Sequence, residues 1–258
     1  MNGLVPQLQF HNTPGAAVVS AAPDAFTLSI PSGSAGKYRW AQADDYLQLP
    51  RKNFRWRSPT VFSLRAQVSS NEVCGTWGFG LWNDPFSLSL GLQGMARRLP
   101  VLPNAAWFFF AGGPNYLSLC DDRPAEGMLA AVFSSPLLPS WILAPALPAA
   151  ALLAFKPTAR LLRRIARMWV RDEPQVLSLD VTRWHSYRIE IRSRSTLFAV
   201  DGSPVFETRL VPRGRLGVVI WIDNQFMRWD PRGAVQMGTL AGPGAVLQVA
   251  DLECSPAD

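Results

Sequence analysis

Of 258 residues, 48% are hydrophobic, 11% aromatic and 17% charged, against a usual charged share of about 25%; this excludes a disordered chain and supplies a sizeable core. The length suits one large all-β domain, because sandwiches and barrels of roughly 200–250 residues fold as single units. The net charge of +6 owes five positives to Arg160, Arg163, Arg164, Arg167 and Arg171, and basicity this local excludes a nucleic-acid groove, which needs charge spread along a path with aromatic platforms.

Met1 to Phe10 has neither a basic start nor an apolar h-region. With three cysteines, Cys74, Cys120 and Cys254, lacking Cys-x-x-Cys spacing, this predicts a cytosolic protein with free thiols. A Pro-, Ala- and Gly-rich lead precedes a strand at Phe26–Ile30 and a loop over Lys37–Trp56. Val61–Val68 alternates as a strand, and Gly75–Trp82 is the next. Within it Trp77, Phe79 and Leu81 take one face, while Thr76, Gly78, Gly80 and Trp82 take the other. Glycines inside a strand mark a bend, a bulge, or a place where a ligand comes close. Asn83-Asp84-Pro85 is a turn, where Asp84 either caps the turn or meets a ligand beside Trp82. Strands are also expected at Ser87–Gly91 and Ala106–Gly112. The second is apolar on both faces, because Trp107 and Phe109 oppose Phe108 and Phe110. Tyr116–Cys120 and Leu129–Phe133 complete this half, joined by the turn Asp121-Asp122-Arg123-Pro124.

Gly127 to Phe155 contains no charged residue, yet Pro136, Pro139, Pro145 and Pro148 rule out one continuous transmembrane helix. Pro157 then opens a helix at the position where proline is tolerated. On a helical wheel Leu161, Leu162, Ile165, Met168 and Trp169 fall on one side, and Arg160, Arg163, Arg164, Arg167 and Arg171 on the other. The β pattern resumes at Val176. The domain therefore carries a helical insertion at about residues 136–173, far longer than the usual connection of about 2–6 residues. It has three readings. The apolar stripe packs on the sandwich with its arginines solvated; the insertion is a lid over a hydrophobic site; or it anchors the protein to an anionic membrane surface.

From Trp184 the alternation is clearest. Trp184–Ile191, Thr196–Val200, Val205–Thr208 and Leu216–Gln225 read as antiparallel strands. Asp201-Gly202 between two of them is a strong hairpin signal, since a tight two-residue turn needs positive φ at both positions. The strand Trp184-His185-Ser186-Tyr187-Arg188-Ile189, the strand ending Ala199-Val200-Asp201-Gly202, and the last strand Leu247-Gln248-Val249-Ala250-Asp251-Leu252 resemble the late strands of the concanavalin A-like lectin and glucanase superfamily. The resemblance covers about a third of the chain. It implies an antiparallel jelly-roll sandwich, a framework role for His185, and a binding groove on the concave sheet.

The chemistry is narrowed mainly by elimination. Glucanases of that superfamily use a Glu-x-Asp-x-x-Glu strand, which places nucleophile and acid on one face about 5–5.5 Å apart. No such motif is present: Asp121, Asp122 and Glu126 lie in a turn at other spacings, and Glu190 sits between Arg188 and Arg192. Two histidines, His11 and His185, cannot build a three-histidine metal site, and a Ca²⁺ at Asp121 and Asp122 would rest on a weak ligand set. Neither a nucleophile elbow nor a phosphate-binding loop occurs, so no metal or cofactor is expected.

What remains is the strand Val218–Gln225. Val218, Ile220 and Ile222 take its core face, while Val219, Trp221, Asp223 and Gln225 take the other, an apolar platform beside oriented polar groups. Trp82, Trp221 and Gln225, with Phe108, Phe110 and Trp229, are the expected groove, capped by the insertion. A largely apolar small molecule is the expected partner. It would be bound, or cyclised or isomerised by shape with Asp223 or Asp84 as acid or base. For Asp223 the alternative is a structural pairing with Arg228. A carbohydrate-binding or carbohydrate-cleaving module stacking sugars on Trp82 and Trp221 is the second expectation. A peripheral membrane or interaction protein using Arg160, Arg163, Arg164, Arg167, Trp169 and Arg171 is the third.

Overall fold

Alternating burial divides the strands into two faces, and the apolar face of each sheet closes on that of the other. The computed structural model describes residues 4–85, 98–123, 126–143 and 150–257. Among them are two seven-stranded antiparallel sheets. The first has the order β1 (Gln9–Asn12), β4 (Trp40–Asp44), β13 (Gly217–Asp223), β6 (Thr76–Trp82), β7 (Ala105–Ala111), β8 (Gly127–Ser134), β9 (Arg171–Val176). The second runs β12 (Ser203–Thr208), β11 (Thr196–Val200), β10 (His185–Ile191), β5 (Thr60–Val68), β16 (Ala245–Pro256), β3 (Ala25–Ile30), β2 (Ala17–Ala22). A separate ribbon pairs β14 (Gln225–Trp229) with β15 (Val235–Thr239). This is an antiparallel β-sandwich.

The core lies between the sheets. Val218, Ile220 and Ile222 of β13 are fully buried there, as their alternation predicts, and so are Ile189 and Ile191 of β10. Phe108 is also in this layer, 4.9 Å from the ring of Tyr187 and 5.2 Å from that of Phe198. Phe110 stacks on Trp77 at 5.7 Å, on the same side. Both were expected in the groove. A strand apolar on both faces gives no internal clue to which face is inward, and the register of β7 decides for Trp107 and Phe109 as the outward pair.

The Asp-Gly hairpin forms as expected. Asp201 and Gly202 have φ of 50° and 78°, and Val200 pairs directly with Ser203. The Asp201 carboxylate accepts from the Ser186 N–H at 2.8 Å and meets His185 Nδ1 at 2.6 Å, so His185 serves the framework. Its hydrogen bond holds the Asp201 carboxyl below its ordinary pKa.

Other local expectations change. Lys37–Trp56 is no plain loop, since it contains β4 beside the central β13. The lead contains β1 and β2. Tyr116–Cys120 is a loop joined to the ribbon by one bridge, Tyr116 to Arg228. The strand expected at Ser87–Gly91 lies outside the described residues.

Between β8 and β9 the chain leaves the sandwich through α1 (Ser140–Leu143), a 3-10 turn at Ala150–Ala154, and α2 (Lys156–Trp169). Its two feet are adjacent, because Ser134 and Arg171 are paired in the sheet. β9 is an edge strand, where Pro174 forfeits no ladder bond.

The packing of α2 is the reverse of the first expectation. The helix meets the body through Ala159 and Arg163, which are 0% and 2% exposed, while Met168 is 73% exposed and Leu161 54%. Burying an arginine is tolerable where its planar fork finds acceptors on every side. Arg163 Nη2 donates to the Ser118 carbonyl at 3.0 Å and Nε to Asp121 at 3.1 Å, Nη1 donates to the Trp229 carbonyl, and the guanidinium covers the Tyr116 ring at 5.3 Å. Arg167 also pairs with Asp121, so this carboxylate is an arginine partner.

Candidate ligand site

The outward face of the first sheet is built by cross-strand partners, which share a face in an antiparallel ladder. Gly78 lies between Trp221 and Phe109, and Gly80 between Val219 and Trp107. The space that these glycines leave is filled by the protein itself. A Cβ on Gly78 would come within 2.8 Å of the Trp221 ring, and one on Gly80 within 2.7 Å of the Trp107 backbone. The indoles of Trp221 and Trp82 each lie 5.7 Å from that of Trp107, and Phe109 stacks on Trp221 at 5.8 Å. The result is a continuous aromatic floor, with Trp82 and Trp221 still half-buried.

Beyond this floor a cavity of about 500 Å³ opens between β7, β8, β9 and the insertion. Its base is Trp107, Phe109, Leu129, Ala131 and Phe133, its roof includes Leu143, Ala166 and Val170, and Trp229 and Met227 close one side. A volume of this size falls within the roughly 300–1,000 Å³ of small-molecule sites, and its lining is overwhelmingly apolar. The polar groups are gathered at one place: Tyr116, Ser118, Arg163 and Asp172. Asp172 accepts from Ser118 Oγ at 2.7 Å and the Leu119 N–H at 3.0 Å. Next to it the Cys120 thiol is pushed up to about 11 by burial and by the Asp172 charge.

Of the residues expected in the groove, Trp229 lines this cavity, and so does Arg163, which was expected on the solvated or membrane-facing side of the insertion. Trp82 and Trp221 extend its aromatic floor. Gln225 lies at the start of the ribbon, where its N–H donates to Asp223 at 3.0 Å. Arg160, Arg164, Arg167, Trp169 and Arg171 are on the outer surface of the insertion and the strand after it. Sequence reasoning missed Trp107, Phe109 and Asp172. The first two could have been found from Gly78 and Gly80, since a strand without side chains must be covered by its neighbours. Nothing local marks Asp172, whose partners come from a loop more than fifty residues earlier.

Asp223 is buried at the end of β13. Its Oδ1 accepts from Thr76 Oγ1 at 2.9 Å and from the Gln225 N–H at 3.0 Å, and Thr76 Oγ1 in turn accepts from Trp221 Nε1 at 3.0 Å. The expected partner Arg228 pairs instead with Asp230 at 3.0 Å. Burial pushes the Asp223 carboxyl up to about 7, against hydrogen bonds that favour its charged form. An acid raised in this way binds its proton more tightly in the folded chain, so its contribution to stability falls as pH rises from its ordinary 3.8 towards 7. Asp44 and Asp45 are raised by burial as well, so several groups share the wild-type decline. The Asp223→Asn variant should flatten that decline in chemical denaturation across this range, by at most about 4 kcal/mol. An unchanged pH slope would count against the shift.

Asp84 is outside the cavity. It forms a buried ion pair with Arg98, whose Nη2 donates to the carbonyls of Tyr46 at 2.9 Å and Leu47 at 2.6 Å, so the pair ties loops together. The carboxylates on the outward face are also widely spread. Asp44 and Asp223 lie on adjacent strands but are offset by four residues, roughly 13 Å. That exceeds the separation of either glycosidase mechanism, about 5–5.5 Å or 6.5–9.5 Å. Among the described residues no group of three or more metal-ligating side chains converges, and the three cysteines are free.

No protein family and no curated protein matches this sequence. Solved structures resemble its fold. A fungal endo-β-1,4-glucuronan lyase from Trichoderma reesei is 9% identical, with 97% of this chain and 88% of that one covered at a TM-score of 0.46. For a Bacillus licheniformis β-glucanase the values are 9%, 98%, 92% and 0.46. For a glycoside hydrolase family protein from Mycobacterium thermorestibile they are 12%, 90%, 76% and 0.48. The likeness ends at the fold.

Proposed function

We propose that the sandwich binds a largely apolar small molecule in the cavity under the insertion. One observation carries this reading: a roughly 500 Å³ space whose walls are aromatic and aliphatic, with its hydrogen-bonding groups confined to the Tyr116, Ser118, Arg163 and Asp172 end. Such a site suits a hydrocarbon-rich scaffold bearing one polar terminus, which Arg163 and Ser118 would orient. A cyclisation or isomerisation of that scaffold would be driven by shape. Asp223, raised towards neutrality, is the acid or base nearest in character, but Thr76 holds it behind the aromatic floor and it does not line the cavity, so it would act only on a molecule that reaches past Trp221.

The test begins with native mass spectrometry and solvent extraction of the purified chain, followed by titration with an environment-sensitive apolar fluorophore. Filling the cavity with Ala131→Phe should reduce fluorophore affinity at least about tenfold, or roughly 1.4 kcal/mol, while the melting temperature stays near that of the wild type. Equal affinity in both proteins would remove the cavity from consideration.

A carbohydrate-binding or carbohydrate-cleaving module is the second reading. The half-buried indoles of Trp82 and Trp221 favour it, being flat faces of the kind that stack on sugar rings. The scarcity of polar partners and the wide spacing of carboxylates weigh against cleavage. Oligosaccharide binding lost in Trp221→Ala but kept in Ala131→Phe would favour this reading over the first.

A further inference from the structure

The outer surface of the insertion carries groups for which the fold has no use. At 100° per residue, Leu161, Ile165, Met168 and Trp169 of α2 share an arc of roughly 100°, away from the line through Ala159, Arg163 and Val170 that meets the body. Trp169 is 47% exposed and Ile165 40%, while Trp141 of α1 and Phe155 before α2 are exposed by 71% and 65%. Single apolar residues at a surface are ordinary, but four on one arc of a helix, ending in a tryptophan, are not.

The charge around this patch is predominantly positive, although Asp121 reaches it to pair with Arg167. From Gly127 to Arg171 the sequence contains no Asp or Glu. Arg160, Arg164 and Arg167 form an adjacent row on α2, and Arg171 follows; Arg164 and Arg171 have no ion pair among the described residues. At Leu137 and Pro139, just before α1, a groove of about 480 Å³ is lined by Arg51, Lys52, Arg57, Arg213 and Arg215, without a carboxylate, Arg51 and Arg215 also donating to the carbonyls of Asp84 and Phe54. These basic residues are distant in sequence, and only the fold brings them beside the insertion.

We infer that the insertion docks this protein on an anionic lipid bilayer, with α2 lying in the interface, its apolar arc in the acyl boundary and its arginines among the headgroups. Both features of an interfacial helix are present, an apolar face and flanking cations. Among the described residues no helix is long and apolar enough to cross a membrane, so the contact is peripheral. A second copy is the competing occupant, and an antiparallel two-fold contact would set the arginine rows side by side. The inference does not depend on what the cavity holds.

Flotation of the full chain with phosphatidylcholine vesicles, with and without phosphatidylglycerol, tests it. The chain should float with the mixed vesicles, much less with phosphatidylcholine alone, and less again in high salt. Arg164→Glu with Arg171→Glu should lower partitioning at least about 25-fold, counting roughly fivefold for each lost cation. Trp141→Ser with Met168→Ser and Trp169→Ser, all at exposed positions, should abolish it without lowering the melting temperature. Failure of the wild type to float with anionic vesicles would overturn the inference. So would undiminished partitioning of both variants, or light scattering that shows a dimer dissolved by the serine substitutions and indifferent to vesicles.

Discussion

Replacing Phe108 by alanine is expected to cost about 4 kcal/mol of folding stability and to leave ligand affinity unchanged. The side chain is wholly buried, with its ring edge-on to both Tyr187 and Phe198. Its removal leaves a hole between two sheets whose backbones are fixed by their ladders, so the site cannot collapse to fill it. The neighbouring Trp107→Ala is expected to behave in the opposite way, impairing fluorophore binding more than stability, because Trp107 faces the cavity. Urea denaturation of the two variants, with fluorophore titration alongside, makes the comparison. A loss below about 1 kcal/mol for Phe108→Ala would mean that the strand is turned the other way.

Arg163→Ala is expected to loosen the insertion, at a cost of about 3 kcal/mol. The arginine side chain is 3% exposed, whereas its partner Asp121 is 44% exposed. Their ion pair is therefore worth little, as half-solvated pairs are, and most of the loss comes from the carbonyls of Ser118 and Trp229 left without a donor. Asp121→Ala should accordingly cost no more than about 1 kcal/mol. Hydrogen exchange at the amides of α2 is the direct measurement: protection should fall in Arg163→Ala while β6, β7 and β13 keep theirs. Uniform loss of protection across the sheets, or none in α2, would refute the assignment of Arg163 as the clasp of the insertion.

The contrast between these two residues shows how far the sequence could be read. The hairpin at Asp201-Gly202 was legible because its cause is local: two adjacent residues meet the demand for positive φ. The face of β13 was legible too, since Val218, Ile220 and Ile222 alternate with residues of other chemistry. Phe108 was not, because both faces of β7 are apolar and periodicity cannot choose between them. The choice is made by Gly78 and Gly80 on the neighbouring strand, a relation that requires the register. Arg163 was harder still. On the helical wheel it resembles the other arginines, and its burial depends on carbonyls of a loop and a ribbon far off in the chain.

For the candidate site the same division applies. An aromatic outward face and a capping insertion could be expected from Trp82, Trp221 and the apolar stretch before Pro157. The cavity itself could not, because it exists only where β8 and β9 continue the sheet beneath α2.

The pairing of Ser134 with Arg171 has one more consequence. Both ends of the insertion enter the sheet at directly opposed positions of neighbouring strands, the geometry that a hairpin turn ordinarily occupies. The segment between them is thus a cassette: to the sheet it is topologically equivalent to a short turn. A lineage could gain, exchange or shed it without rethreading a strand, and an engineer could transplant it onto another β-hairpin that carries acceptors for a buried arginine.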